Sequence, residues 1–168
     1  LLVDDSLLFR ELLGQAISAY LPAGSQIEKA ANPFEARDKI LSFEPDVMLL
    51  DIEMPRMNGI DFLKRLLAQY AQTVIMLSSC AQYRATALEA GAVDFVVKPD
   101  GNILLADKSF FSDLAARICT AAKQPMQRIM PAVQGSSYKS VIAMGASTGG
   151  TEALATVLKA LHPPLPGI

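Results

Sequence analysis

Two runs of the chain, Val47 to Leu50 and Val74 to Leu77, are apolar at every position. A strand in a one-sided sheet alternates apolar and polar residues, so an unbroken apolar strand must be covered on both faces. Segments with a 3.6-residue apolar spacing separate the runs. Parallel strands need long crossover connections, and crossover helices supply the covering layers. The two runs therefore demand a parallel sheet between two layers of helices.

The strand-then-helix pattern recurs five times. Leu1 to Val3 is a short apolar strand, and Ser6 then caps a helix with Leu8, Leu12, Leu13, Ala16, Ile17 and Tyr20 on its apolar face. Gly24 breaks the chain before a weak strand, Ile27 to Ala30. Asn32, with Pro33 in the first helical position, opens a second helix to about Leu41. After the Val47–Leu50 strand, Asn58-Gly59 turns into a third helix with Ile60, Leu63, Leu66 and Leu67 inward. A fourth helix follows Val74–Leu77, from about Tyr83 to Ala90, with Gly91 as its stop. Phe95 to Val97 is the fifth strand, and Ser109 to Lys123 the fifth helix. The expected fold class is α/β: a five-stranded, doubly wound parallel sheet over residues 1–123.

Beyond residue 123 the pattern lapses. Pro125, Pro131, Gly135, Ser136 and Ser137 sustain no period, so residues 124–139 read as a linker. Val141 to Met144 then begins another strand, followed by a Gly-rich turn and a helix from Thr151 to about Leu161. Residues 140–168 read as the first strand-turn-helix of a second α/β domain. Both ends of the chain are expected to be cut. It begins without Met inside an apolar run and stops after Pro163-Pro164-Leu165-Pro166.

Composition narrows the function. Hydrophobic residues are 51% and charged residues 19% of the chain, which is globular usage. A formal net charge of −2 advertises no nucleic-acid surface, so no nucleic-acid partner is expected. No apolar stretch is long enough to span a bilayer and no signal peptide is visible, which points to the cytoplasm without membrane insertion. Cys80 and Cys119 read as buried free thiols.

The chemistry gathers at strand ends. Asp4 and Asp5 follow the first strand and Asp51 the third, at the carboxyl edge where ligands of open α/β sheets bind. If those strands are neighbours, their ends lie about 5 Å apart. Three buried-edge carboxylates that close repel one another, so their pKa values rise or a divalent cation joins them. Mg2+, a hard ion preferring oxygen ligands, suits such a set. Ser78 ends the fourth strand and Lys98 the fifth. Lys98 could be a simple counter-ion, and paired acids in loops are common. As a set, the groups form a phosphoryl site: Asp51 the nucleophile, Lys98 and the cation neutralising phosphoryl oxygens, Ser78 donating a hydrogen bond.

Leu2-Val3-Asp4-Asp5-Ser6, the run from Leu49 through Asp51-Ile52-Glu53-Met54-Pro55 to Asn58-Gly59, Ser78-Ser79 and Lys98-Pro99 resemble the response-regulator receiver family. The resemblance covers nearly all of residues 1–123. It implies a flavodoxin-like receiver and phosphotransfer from a histidine kinase to Asp51. It also implies Mg2+ held by Asp5, Asp51, the Glu53 backbone carbonyl and, through water, Asp4. It further implies a switch in which Ser78 moves toward the phosphoryl group while an aromatic residue rotates inward. Phe95 occupies the aromatic position, where an ordinary strand core residue is the competing reading.

Gly145-Ala146-Ser147-Thr148-Gly149 fits a nucleophile elbow, in which a strained strand-to-helix turn exposes a serine hydroxyl. A phosphate cradle or a simple helix cap would use similar residues. No Lys follows the glycines, which argues against a P-loop. A receiver, a linker and then this turn resemble the chemotaxis protein-glutamate methylesterases. That resemblance implies Ser147 as the catalytic nucleophile, methylated chemoreceptors as substrates, and glutamine deamidation in some relatives. It also implies a receiver lying over the esterase site until phosphorylation loosens it. His162 is the sole histidine and lies past the far end of the Ser147 helix. At about 1.5 Å per residue the two are roughly 20 Å apart, so His162 cannot be the base. The family's catalytic histidine and aspartate have no counterpart in these residues, so the chain as it stands is expected to accept phosphate and not to hydrolyse esters. The alternative is a receiver joined to a non-catalytic α/β binding module.

Overall fold

A computed structural model of the chain describes residues 1–55, 57–99 and 108–123. By its contacts the chain divides into two units, Leu1–Arg128 and Ile129–Ile168. The linker, the elbow around Ser147 and His162 lie outside the described residues.

The elements are β1 (Leu2–Val3), α1 (Leu7–Ser18), β2 (Lys29–Ala30), α2 (Pro33–Phe43), β3 (Met48–Asp51), α3 (Gly59–Leu67), β4 (Val74–Ser78), α4 (Arg84–Glu89), β5 (Asp94–Val97) and α5 (Lys108–Ala122). A short 3-10 turn, Ala81–Tyr83, precedes α4. The five strands form one sheet in the order β2-β1-β3-β4-β5, with every pairing parallel. The strand order reverses between β1 and β3, and there the connecting helices leave on opposite faces and open a crevice.

The sheet is buried on both sides, as its apolar runs require. Met48, Leu50 and Met76 face a cluster completed by Ala36 and Ile40 of α2, Leu63 and Leu66 of α3, and Ala87 of α4. Leu49, Ile75 and Leu77 face the opposite cluster, with Leu13 and Ile17 of α1 and Leu114 and Ala115 of α5. The switch of partner at each successive residue is the period-2 geometry of a strand.

Caps set where the helices start. The Ser6 hydroxyl accepts from the Phe9 N–H at 3.3 Å, and Asn32 Oδ1 accepts from the Phe34 and Glu35 N–H groups at 3.0 Å each. Asn58 Oδ1 accepts from the Ile60 N–H at 2.8 Å. Three sequence expectations are corrected. Leu8 is 69% exposed and not on the inner face of α1, because at about 100° per residue it stands on the far side of the helix from the buried Leu13 and Ile17. Tyr20 lies beyond the end of α1 and is exposed, though its ring stacks on Phe111 at 6.5 Å. Cys80 and Cys119 are free but only half-buried. Among the described residues no helix is long and apolar enough to cross a membrane.

Candidate functional site

The β1–β3 pairing aligns Val3 with Leu50, so the residues that follow, Asp4 and Asp51, emerge side by side at the switch point. Asp4, Asp5 and Asp51 each offer a carboxylate oxygen, and these oxygens lie within 4.8 Å of one another. The expectation of three buried acids is corrected for one member. Asp4 is 0% and Asp51 2% exposed, whereas Asp5 is exposed. Asp5 has left the strand, and its side chain borders solvent at the pocket mouth.

Lys98 joins the acids from the far side of the sheet. Its backbone N–H donates to the Ser78 carbonyl at 2.9 Å, which fixes the residue just past the end of β5. Its Nζ lies 2.6 Å from Asp4 Oδ2 and 2.7 Å from Asp51 Oδ1. The Asp4 contact is an aligned hydrogen bond. The Asp51 contact is a close charge contact off the hydrogen-bonding line, because Asp51 Oδ1 is buried without an aligned donor among the described residues. The ammonium still compensates the buried charge of that carboxylate.

The charges shift one another. Burial pushes the Asp4 carboxyl above its ordinary value, and Lys98 pulls it part of the way back. Burial is also the largest single influence on Lys98 and disfavours its charge. The contacts from Asp4 and Asp51 together outweigh it, so the ammonium is held above its ordinary value. With all groups ionised, three carboxylates and one ammonium leave two negative charges in one pocket. An all-oxygen donor set with that surplus fits a hard divalent cation such as Mg2+.

Neighbouring backbone locks this arrangement. Asp4 Oδ1 accepts from the Ser6 N–H at 2.8 Å, and the Asp4 carbonyl accepts from the Arg10 guanidinium. Behind Asp51, the Gly59 N–H donates to the Ile52 carbonyl at 2.9 Å. A Cβ on Gly59 would lie 1.9 Å from the Asp51 carbonyl oxygen, so only glycine allows α3 to start this close to β3. Arg10, Gly59 and the ring of Phe9, whose centroid is 4.6 Å from Lys98 Nζ, were not singled out as site residues from the sequence. Gly59 was visible only as a turn residue. Phe9 and Arg10 gave no signal beyond their place in the first turn of a capped helix.

The other predicted residues are placed differently. Ser78 is 0% exposed at the end of β4, and its hydroxyl accepts from the Cys80 N–H at 3.0 Å, within its own turn. Phe95 is 0% exposed, turned into the core beneath the Arg84 guanidinium at 5.2 Å from the ring centroid. Glu53 follows β3 with its side chain exposed. Ser147 lies outside the described residues.

The family model for the response regulator receiver domain matches residues 1–108. A protein-glutamate methylesterase/protein-glutamine glutaminase of Syntrophomonas wolfei is 44% identical over 174 residues, spanning 99% of this chain and 51% of that protein. One from Yersinia pestis is 41% identical over 180 residues, spanning 100% of this chain and 51% of that protein. The chain thus spans about half the length of the curated relatives it matches. Among solved structures, the response regulator domain of Thermotoga maritima CheB matches with a TM-score of 0.64 and 36% identity, covering 74% of this chain and 95% of that one. The T. maritima response regulator TrrA, solved in complex with Mg(2+)-BeF, matches with a TM-score of 0.57 and 28% identity, covering 71% of this chain and 95% of that one.

Proposed function

The chain belongs to the response regulator receiver family, and we propose that Asp51 is its phosphoacceptor, charged by a histidine kinase, in a protein that demethylates chemoreceptors. The observation that carries this reading is the buried Asp51 carboxylate. It sits beside Asp4 and Asp5 with Lys98 2.7 Å away. Asp5, Asp51 and the Glu53 backbone carbonyl would hold Mg2+, with Asp4 reaching it through water. The cation supplies positive charge against the phosphoryl oxygens.

The chain's own residues do the rest. Asp51 attacks phosphorus, the donor's P–N bond to its histidine breaks, and the leaving imidazole takes up a proton. Lys98 neutralises one phosphoryl oxygen from its position between the two acids. Ser78 leaves its Cys80 partner and donates to another. Phe95 then responds to the vacated space. The phosphoryl group brings about −1.5 to −2 charge, enough to shift a loop between two arrangements.

The curated relatives support the second half of the reading. In the whole protein Ser147 would attack the γ-methyl ester of a receptor glutamate, the C–O bond to methoxide would break, and methanol would leave. Glutamine deamidation is the parallel reaction that the relatives' names carry. The receiver would cover the esterase site in the cytoplasm until phosphorylation of Asp51 shifts the equilibrium toward an open state.

The test is labelling by acetyl phosphate with and without magnesium, in wild type and Asp51→Asn. We expect labelling of wild type that requires the cation, and none in the variant. Labelling of Asp51→Asn at the wild-type rate refutes the assignment. For the hydrolase, phosphodonor-stimulated methanol release by the whole protein should vanish in Ser147→Ala.

A further inference from the structure

The Lys98 ammonium has three N–H groups and two carboxylate oxygens beside it, at 2.6 and 2.7 Å. An apolar group also stands against it: the Phe9 ring, with its centroid 4.6 Å from Nζ. An aromatic face carries negative quadrupole density, and at this distance it attracts an ammonium while keeping water off it. The ring is not loosely placed. Phe9 is half-buried and packs against the cluster under α1 and α5.

The contacts close into a circuit. Asp4 Oδ1 accepts from the Ser6 N–H, the Ser6 hydroxyl accepts from the Phe9 N–H, the Phe9 ring faces Lys98 Nζ, and Nζ returns to Asp4 Oδ2. The start of α1 thus meets the lysine directly through Phe9 and, through the Ser6 N–H that holds Asp4, indirectly. A lysine on four flexible carbons has many positions open to it, and this circuit leaves few.

We propose that Phe9 is a positioning residue for phosphoryl transfer, its ring face confining the Lys98 ammonium to the point between Asp4 and Asp51 where a phosphoryl oxygen arrives. The inference rests on the reading of Asp51 as phosphoacceptor. Lys98 touches the reacting group, and Phe9 acts through Lys98. The ring strengthens an electrostatic contact prepared in advance, which is where an active site gains most.

Two measurements on the whole protein test it. The first is the NMR shift of the Lys98 ε-methylene protons. A ring face this close moves them upfield, and Phe9→Leu should abolish the displacement. Random-coil positions in wild type overturn the proposal, whatever happens at Asp51.

The second is the rate of Asp51 labelling by acetyl phosphate at saturating magnesium. In this step an Asp51 oxygen bonds to phosphorus and acetate leaves. Replacing Phe9 with 4-fluoro-, 3,5-difluoro- and 3,4,5-trifluorophenylalanine weakens the ring quadrupole at nearly constant shape, so a packing role would give a flat series. We expect a stepwise fall, with a total loss between about twofold and about thirtyfold. Phe9→Leu should sit at the slow end, and Phe9→Trp should retain the wild-type rate. Should Phe9→Leu fail to fold, the fluorinated series still decides. Equal rates across that series overturn the inference, while absence of labelling in wild type counts against the phosphoacceptor reading instead.

Discussion

The two halves of the sheet's carboxyl rim are in different states. On the β1–β3 side, the Lys98 ammonium reaches across from the end of β5 to touch Asp4 and Asp51, Asp5 lies beside them, and two of the acids are fully enclosed. On the β4–β5 side, the Ser78 hydroxyl is spent on Cys80 and the Phe95 ring lies under Arg84. In the first half one ammonium holds two acids that would otherwise repel each other. The second is held by short-range contacts that must be given up before Ser78 can reach a ligand. On the proposed reading, the difference separates a preformed binding pocket from a part that would report its filling.

Lys98→Met breaks the assembled half. It should slow phosphorylation of Asp51 by about a hundredfold to a thousandfold, the usual cost of removing a group that meets developing charge. The same variant carries a pH signature. The folded pKa of Lys98 is raised, so its contribution to stability is fully present below its ordinary value of 10.5 and is lost as pH rises through the folded value. The wild-type advantage in melting temperature over Lys98→Met should therefore hold through neutral pH and shrink only in strong alkali. An advantage that fades near pH 7 would mean the ammonium is not held by the two acids.

Gly59→Ala attacks the same half from behind. The new Cβ meets the Asp51 carbonyl oxygen, and backbone must move, at about 2–4 kcal/mol of stability by denaturant titration. Ser78→Ala probes the other half. It should slow phosphorylation only about tenfold, because one hydrogen bond to a charged group is lost. A loss as large as that of Lys98→Met would show that Ser78 belongs to the preformed pocket. The smallest effect is expected from Arg84→Ala. Losing the cation–π contact should cost about 0.5–1 kcal/mol in a thermal melt and leave the labelling rate of Asp51 unchanged.

Much of the fold was legible because burial writes itself into periodicity. The two-sided strands at Val47–Leu50 and Val74–Leu77, the Asn32-Pro33 helix start and the Gly91 stop, at φ +107, all appear where the residues indicate. Leu8 misled because an apolar residue looks like part of the face in sequence although it lies opposite the Leu13 and Ile17 stripe. The acids and the lysine were visible as strand-end residues. Phe9 was not, since its role depends on a partner that stands far away in sequence. Which of the three acids stays in water was invisible too, because Asp5 is the equal of Asp4 and Asp51 in sequence and yet is exposed.

The sequence by itself determined the parallel sheet, the order of strand and helix, and which carboxylates reach the rim, because each follows from local spacing and from apolar residues excluding water. Only the tertiary structure decided which of those acids lost their water, which one faces Lys98 without an aligned hydrogen bond, and that an aromatic ring stands against the lysine. Those outcomes depend on distances between strands that are remote in sequence. Electrostatic strength is set by such distances and by the exclusion of water, and neither is a property of any one segment.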